Sequence, residues 1–178
     1  LSFYPRHSLE QHIEQALADE DHLHCVYKPD HKTGKEQLVA QVYELPVRQC
    51  IDTQEEHQWT ERMILVRSIA HAEAQSKMIQ ERLQKARQEL VERFLPRKYR
   101  QTWTVGKTEK AAAFVTKVLK KRRVQGLLKI ELTQGQGASP NTPLGIQVSL
   151  DQEAIQRTIR LAAWRLYVTN APVQKLPP

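Results

Sequence analysis

The chain has 178 residues, of which 40% are apolar and 6% aromatic, enough for one domain with a real core and part of another. Twenty-seven Lys and Arg against twenty Asp and Glu leave a net charge of +7, which points to an anionic partner, nucleic acid being the usual one; a plain basic surface is the alternative. Cys25 and Cys50 lack CxxC spacing and do not make a secreted disulfide framework, which fits a reducing cytoplasm, and no apolar run of about 18 residues is present to span a membrane.

The first expected element is a helix over Ser8–Ala18, with Ser8 as its cap, Gln11 as capping-box partner and Leu9, Ile13, Ala16 and Leu17 as its apolar stripe. Asp19-Glu20-Asp21 then reads as a solvated turn rather than a metal loop, because adjacent carboxylates seldom converge on one ion without a glycine-containing loop. His22–Lys28 and Lys35–Leu45 alternate as strands about the turn Asp30–Gly34 and predict a hairpin. His22, His24 and Cys25 lack the companion His pair of a zinc site and read as ordinary strand residues. Pro46–Gln58 reads as polar and irregular. Trp59–Arg67 resumes as a strand with apolar residues on both sides, which predicts cover on both faces.

Ser68 is placed to cap the longest element, a helix over Ile69–Phe94 that is free of Gly and Pro and roughly 39 Å long at 1.5 Å per residue. Ile69, Ala72, Ser76, Ile79, Leu83, Ala86, Leu90 and Phe94 form a narrow stripe. It is expected to pack across the sheet; a homodimer seam through Ile79, Leu83, Ala86 and Leu90 is the alternative. Beyond Pro96, the basic run Arg97, Lys98 and Arg100, with Tyr99 and Trp103, suits phosphate contact and base stacking. Cations closing the end of the preceding helix are an equal alternative.

Thr108 is placed to cap a helix to about Arg122 whose buried side is Ala111, Ala112, Val115, Val118 and Leu119. Lys117, Lys120, Lys121, Arg122 and Arg123 crowd its end beyond what a helix dipole calls for, favouring a phosphate-binding patch. Gly126 is expected to close the turn before a strand over Leu127–Thr133. Gln134–Pro143 is rich in Gly and Pro and reads as a flexible loop without P-loop spacing. Gly145–Leu150 should pair back on the preceding strand, Asp151 should cap a short helix with Ile155, Ile159 and Ala162 inward, and Trp164–Thr169 alternates as a final strand. No GxSxG, HExxH or Cys–His catalytic set is present.

The stretch Trp164-Arg165-Leu166-Tyr167-Val168-Thr169-Asn170-Ala171-Pro172 resembles the late strand of bacterial insertion-sequence transposases of the DDE class, in the IS-four group. Trp59–Ser68 with the helix after it, and Arg123–Leu128, resemble the same family, so that the likeness covers roughly residues 57 to 172 in the family's order. Ala163 departs from the Gly expected before the Trp. The resemblance implies an α+β fold with mixed or antiparallel strands, one long helix over 69–94 and an RNase H-like parent. Residues 1–160 would be the insertion region between the second catalytic Asp and the Glu, and 161–178 the returning core strand. Leu1 and the close after Pro178 are then expected to bound a section of a longer protein.

DDE chemistry uses three carboxylates around two divalent ions about 3.5–4 Å apart to activate water or a 3′-hydroxyl against a phosphodiester. Mg²⁺ is therefore expected for the full-length parent, and no cofactor within this chain. The surroundings of Asp19, Asp21, Asp30, Asp52 and Asp151 match neither core-strand position of the family, so no catalytic residue is carried over. The expected partner is transposon-end DNA in a bacterial cytoplasm, beside the nucleoid. Two alternatives are a stand-alone noncatalytic nucleic-acid-binding module and a helical dimerisation protein.

Overall fold

The structure, a computed structural model, describes residues 6–52, 57–95, 102–135 and 139–171. The fold is α+β, with four α-helices and antiparallel strand pairs among the described residues. The chain divides into two compact units, one formed by Leu1–Gln75 with Leu161–Pro178 and the other by Ser76–Arg160.

In the first unit, α1 runs over Arg6–Ala18. It starts two residues before the expected Ser8. Ile13 and Ala16 pack with Tyr43, Leu45, Met63, Leu65 and Trp164 into one apolar cluster, with Leu9 and Leu17 at its margin. Strands β1 (His24–Pro29) and β2 (Glu36–Glu44) form the expected hairpin. The Asp30 carboxylate accepts the N–H groups of Lys32 at 2.6 Å and Thr33 at 3.0 Å, and Gly34 takes a positive φ of 67° that its missing Cβ permits. As an edge strand, β1 has a register shift between Val26 and Tyr27 and ends on Pro29, both of which blunt it against further pairing.

Strand β3 (Arg48–Asp52) lies where irregular chain was expected. Arg-Gln-Cys-Ile-Asp has no clean alternation; its pairing is supplied by a long partner, β4 (His57–Ser68), from Arg48 opposite Glu61 to Asp52 opposite His57. The C-terminal half of β4 pairs with β2 on one side, from Ala40–Ser68 to Glu44–Ile64. On the other side it pairs with β7 (Trp164–Thr169), from Arg62–Thr169 to Arg67–Trp164. Among the described residues β7 has no other strand neighbour. Both faces of β4 bury apolar side chains, as its sequence predicts: Met63 and Leu65 on the α1 side, Ile64 on the other.

The second unit holds most of α2 (Ile69–Phe94), then α3 (Thr108–Arg122), the hairpin β5 (Leu128–Gln134) and β6 (Leu144–Leu150), and α4 (Gln152–Arg160). Ser68 Oγ accepts the His71 N–H at 3.4 Å, and Asp151 Oδ1 accepts that of Ala154 at 3.1 Å, the two helix starts the sequence predicts. Ile79, Leu83, Ala86, Leu90 and Phe94 are buried together with Ala111, Val115 and Val118 of α3, with Leu128 and Leu144 of the hairpin, and with Ile155 of α4. The stripe of α2 is thus consumed within the chain. A dimer seam through Ile79, Leu83, Ala86 and Leu90 has no surface left to use, because those side chains are at most 9% exposed.

A buried ion pair lies in the sheet of the first unit. Arg62, only 4% exposed, donates from Nε to Glu44 Oε1 at 2.6 Å and from Nη2 to Oε2 at 3.0 Å. Its Nη1 reaches the Ala171 carbonyl at 3.4 Å, just past β7. The hydrogen bond from Arg62 holds the Glu44 carboxyl below its ordinary value, so this stabilisation is complete above the unfolded carboxyl pKa of about 4.3 and is lost as pH falls through the lower folded value. Glu44→Gln, which withdraws the anion from a buried guanidinium, should cost about 3 kcal/mol in urea unfolding at pH 7. It should also flatten the loss of stability that the parent chain shows on acidification below pH ~4.

Candidate nucleic-acid interface

Alanines and valines at spacings of four and three place Ala111, Val115 and Val118 on the buried side of α3. Ala112, expected on that side, is exposed. The same periodicity turns Lys117 and Lys120 outward, both exposed. The helix ends at Arg123, which takes the left-handed conformation (φ 55°, ψ 47°) while its N–H bonds back to the Lys120 carbonyl at 3.1 Å. Gly126, with a positive φ of 76°, lies in the turn beyond, before the next strand, as expected, and the last residue of the helix is Arg122, as its sequence predicts. Val124 and Leu127 are buried directly after this cap, which ties the end of α3 to the core and leaves Arg123 exposed.

The five expected cations of this end divide into two groups. Lys121 Nζ lies 3.1 Å from Glu89 Oε1, and Arg122 brings Nε (3.0 Å) and Nη2 (2.7 Å) onto Glu89 Oε2. These bonds, Arg122 first, hold the Glu89 carboxyl below its ordinary value. Glu89 is on α2, more than thirty residues away in sequence, so these two cations fasten α3 to α2. Lys117, Lys120 and Arg123 form no ion pair among the described residues. Arg97, Lys98 and Arg100 lie outside the described residues, as do Pro96 and Tyr99.

Trp103 does not stand free as a stacking platform. Its ring is 5.9 Å from Phe94 and 6.0 Å from Phe114, against the core of the unit, and the Arg93 guanidinium lies 4.5 Å over it and 5.9 Å from Phe114. Beside this cluster, between α2 and α3, runs an open groove of about 450 Å³ lined by Lys85, Gln88, Glu89, Glu92, Arg93, Phe114 and Arg122. The groove and its acidic partner Glu89 were invisible in the sequence, where nothing marks which turn of α2 meets the end of α3.

A second signal was present in the sequence but needed the unit boundaries to be counted. Ser76–Arg160 carries eighteen Lys and Arg against seven Asp and Glu, a net of +11. The other unit carries nine against thirteen, a net of −4. The basic excess of the chain is therefore confined to the unit inserted between β4 and β7.

The acidic loop after α1 is turned to its own fold: Asp19 accepts the Tyr43 hydroxyl at 2.9 Å and pairs with His22 Nδ1 at 2.7 Å. The His22 contact is the larger cause that lowers the Asp19 carboxyl, and Asp19 in turn raises His22. Among the described residues no three His, Cys, Asp or Glu side chains gather as metal ligands, and no helix is long and apolar enough to cross a membrane. No family model matches the chain, and neither a curated protein nor a solved structure does.

Arg123 separates structural from electrostatic roles at this end. A left-handed cap costs a residue with a Cβ about 1 kcal/mol that glycine escapes. Arg123→Gly should therefore raise the thermal unfolding midpoint while lowering the salt at which the protein leaves a heparin column.

Proposed function

We propose that the chain serves DNA transposition, as a section of a bacterial insertion-sequence transposase in which the unit Ser76–Arg160 grips DNA through its phosphates. The observation that carries this reading is the segregation of charge, +11 on the inserted unit against −4 on the other. Cations at that density favour a polyanion, and exposed Lys117, Lys120 and Arg123 offer heads not neutralised by carboxylates of the chain among the described residues. The family resemblance supports it independently. Two of the stretches that carry the likeness, Trp59–Ser68 and Trp164–Pro172, hold the strands β4 and β7, which are hydrogen-bonded neighbours. In this reading β7 is the returning strand of an RNase H-like core and the basic unit is the insertion that helps hold transposon-end DNA.

The cutting and joining of strands would be done by carboxylates of the longer protein and their Mg²⁺, in a bacterial cytoplasm beside the nucleoid. This chain would contribute the hold on the substrate and no catalytic group. A stand-alone noncatalytic nucleic-acid-binding module is the second reading, and the self-contained core of Ser76–Arg160 favours it.

Binding to duplex DNA should be weak, with Kd on the order of 10⁻⁴–10⁻⁶ M near physiological salt, and should fall linearly with salt on logarithmic axes. Lys117→Gln and Lys120→Gln should each flatten that slope by roughly 0.9. Filter binding across a salt series measures both; an affinity indifferent to salt defeats the phosphate grip. Flanking genomic sequence decides the parentage: an Asp-bearing strand upstream and a Tyr–Arg–Glu helix downstream are expected, and the absence of both leaves the stand-alone module.

A further inference from the structure

Glu89 stands in an unusual setting for an acidic residue. It is on the wall of the α2–α3 groove, with its side chain 27% exposed, and three N–H donors from Lys121 and Arg122 converge on its two oxygens. Lys85 and Arg93, one turn to either side of it on α2, line the same groove. A carboxylate held by an arginine fork and a lysine, in a groove also lined by Lys85 and Arg93, occupies the position that a phosphate oxyanion would take.

We propose that Glu89 is an internal surrogate for phosphate: it occupies an oxyanion site in the α2–α3 groove, and a phosphodiester of a nucleic acid binds there by taking Glu89's place on Arg122 and Lys121. The consequence is an autoinhibitory contact. Two cations of the α3 end are withheld until a phosphate competes for them, and binding of a polyanion carries the cost of displacing the carboxylate. Arg122 is suited to the exchange because its fork accepts either anion, and Lys121 because its side chain is 58% exposed and already reaches solvent. Glu92 also lines the groove, where its charge would temper the gain, while the fork of Arg122 bonds Glu89.

The proposal rests on the nucleic-acid reading above, and its test is arranged so that the two fail separately. Glu89→Gln keeps the shape and removes the charge. Elution from heparin, a polyanion that is not nucleic acid, should move to higher salt, and affinity for a short DNA duplex should rise about three- to tenfold. The slope of log K against log salt should steepen by up to about 1.8, two phosphate contacts' worth. Adding Arg122→Gln to Glu89→Gln should erase most of the gain. Where Glu89→Gln does not fold, Glu89→Asp, which draws the charge back by one methylene, should shift both readouts in the same direction. Elution and affinity equal to or below those of the parent chain, in a variant with an unchanged circular dichroism spectrum, overturn the proposal. Tighter heparin binding without any DNA binding by either protein keeps the oxyanion site and refutes the nucleic-acid reading instead.

Discussion

The pairing of β4 with β7 is the constraint on which the rest of the architecture depends. Arg67 stands opposite Trp164, and Arg62 opposite Thr169, so two strands about a hundred residues apart in sequence are fixed side by side. Closing so long an excursion costs loop entropy, though the cost grows only slowly with length. The ladder does not meet it alone: Trp164 is buried with Leu65 and Ile13, and the Arg62 guanidinium bridges Glu44 on β2 to the carbonyl of Ala171 beyond β7. Everything from Ser76 to Arg160 is thereby an insertion between two neighbouring strands, free to form its own core.

That freedom explains how one chain carries two surfaces of opposite charge. The acidic excess of the sheet unit comes largely from Glu10, Glu14, Asp19, Glu20 and Asp21, in α1 and just after it, because its strands set Lys28, Arg48, Arg62, Arg67 and Arg165 against Glu36, Glu44, Asp52 and Glu61. The inserted unit encloses its core with one apolar stripe on α2, a three-residue side on α3, Val124 and Leu127 beyond it, the inner face of the β5–β6 hairpin and Ile155 of α4. The remaining faces of its helices are left for Lys and Arg. Such a surface repels itself, and Glu89 offsets part of that repulsion by pairing with Lys121 and Arg122.

The same geometry gives the aromatic residues a structural part. Trp103 follows a basic run that invites a role in stacking on bases. It instead fills the space between Phe94 and Phe114, with Arg93 across its face. Burial of a large ring in a small unit outweighs what it would gain as a solvent-exposed platform. On the proposed reading, the hold on a nucleic acid then falls to the side chains at the end of α3 and along the groove.

The sequence by itself determined the elements that depend on local chemistry. The stripe of α2, the caps at Ser68 and Asp151, the turn at Asp30–Gly34 and the alternation of β7 are each set by residues within a few positions of one another, and each formed close to where that chemistry places it. The α+β class and the double-sided cover of β4 were legible for the same reason. Tertiary structure decided what depends on distant partners. Strand β3 exists because β4 is long enough to pair with it, and α3 is closed by Arg123 because Val124 and Leu127 have a core to enter. Of five neighbouring cations, two are spoken for by Glu89 while three face solvent. Periodicity and capping act over a turn or two of chain, whereas an ion pair across thirty residues exists only once both helices have been packed.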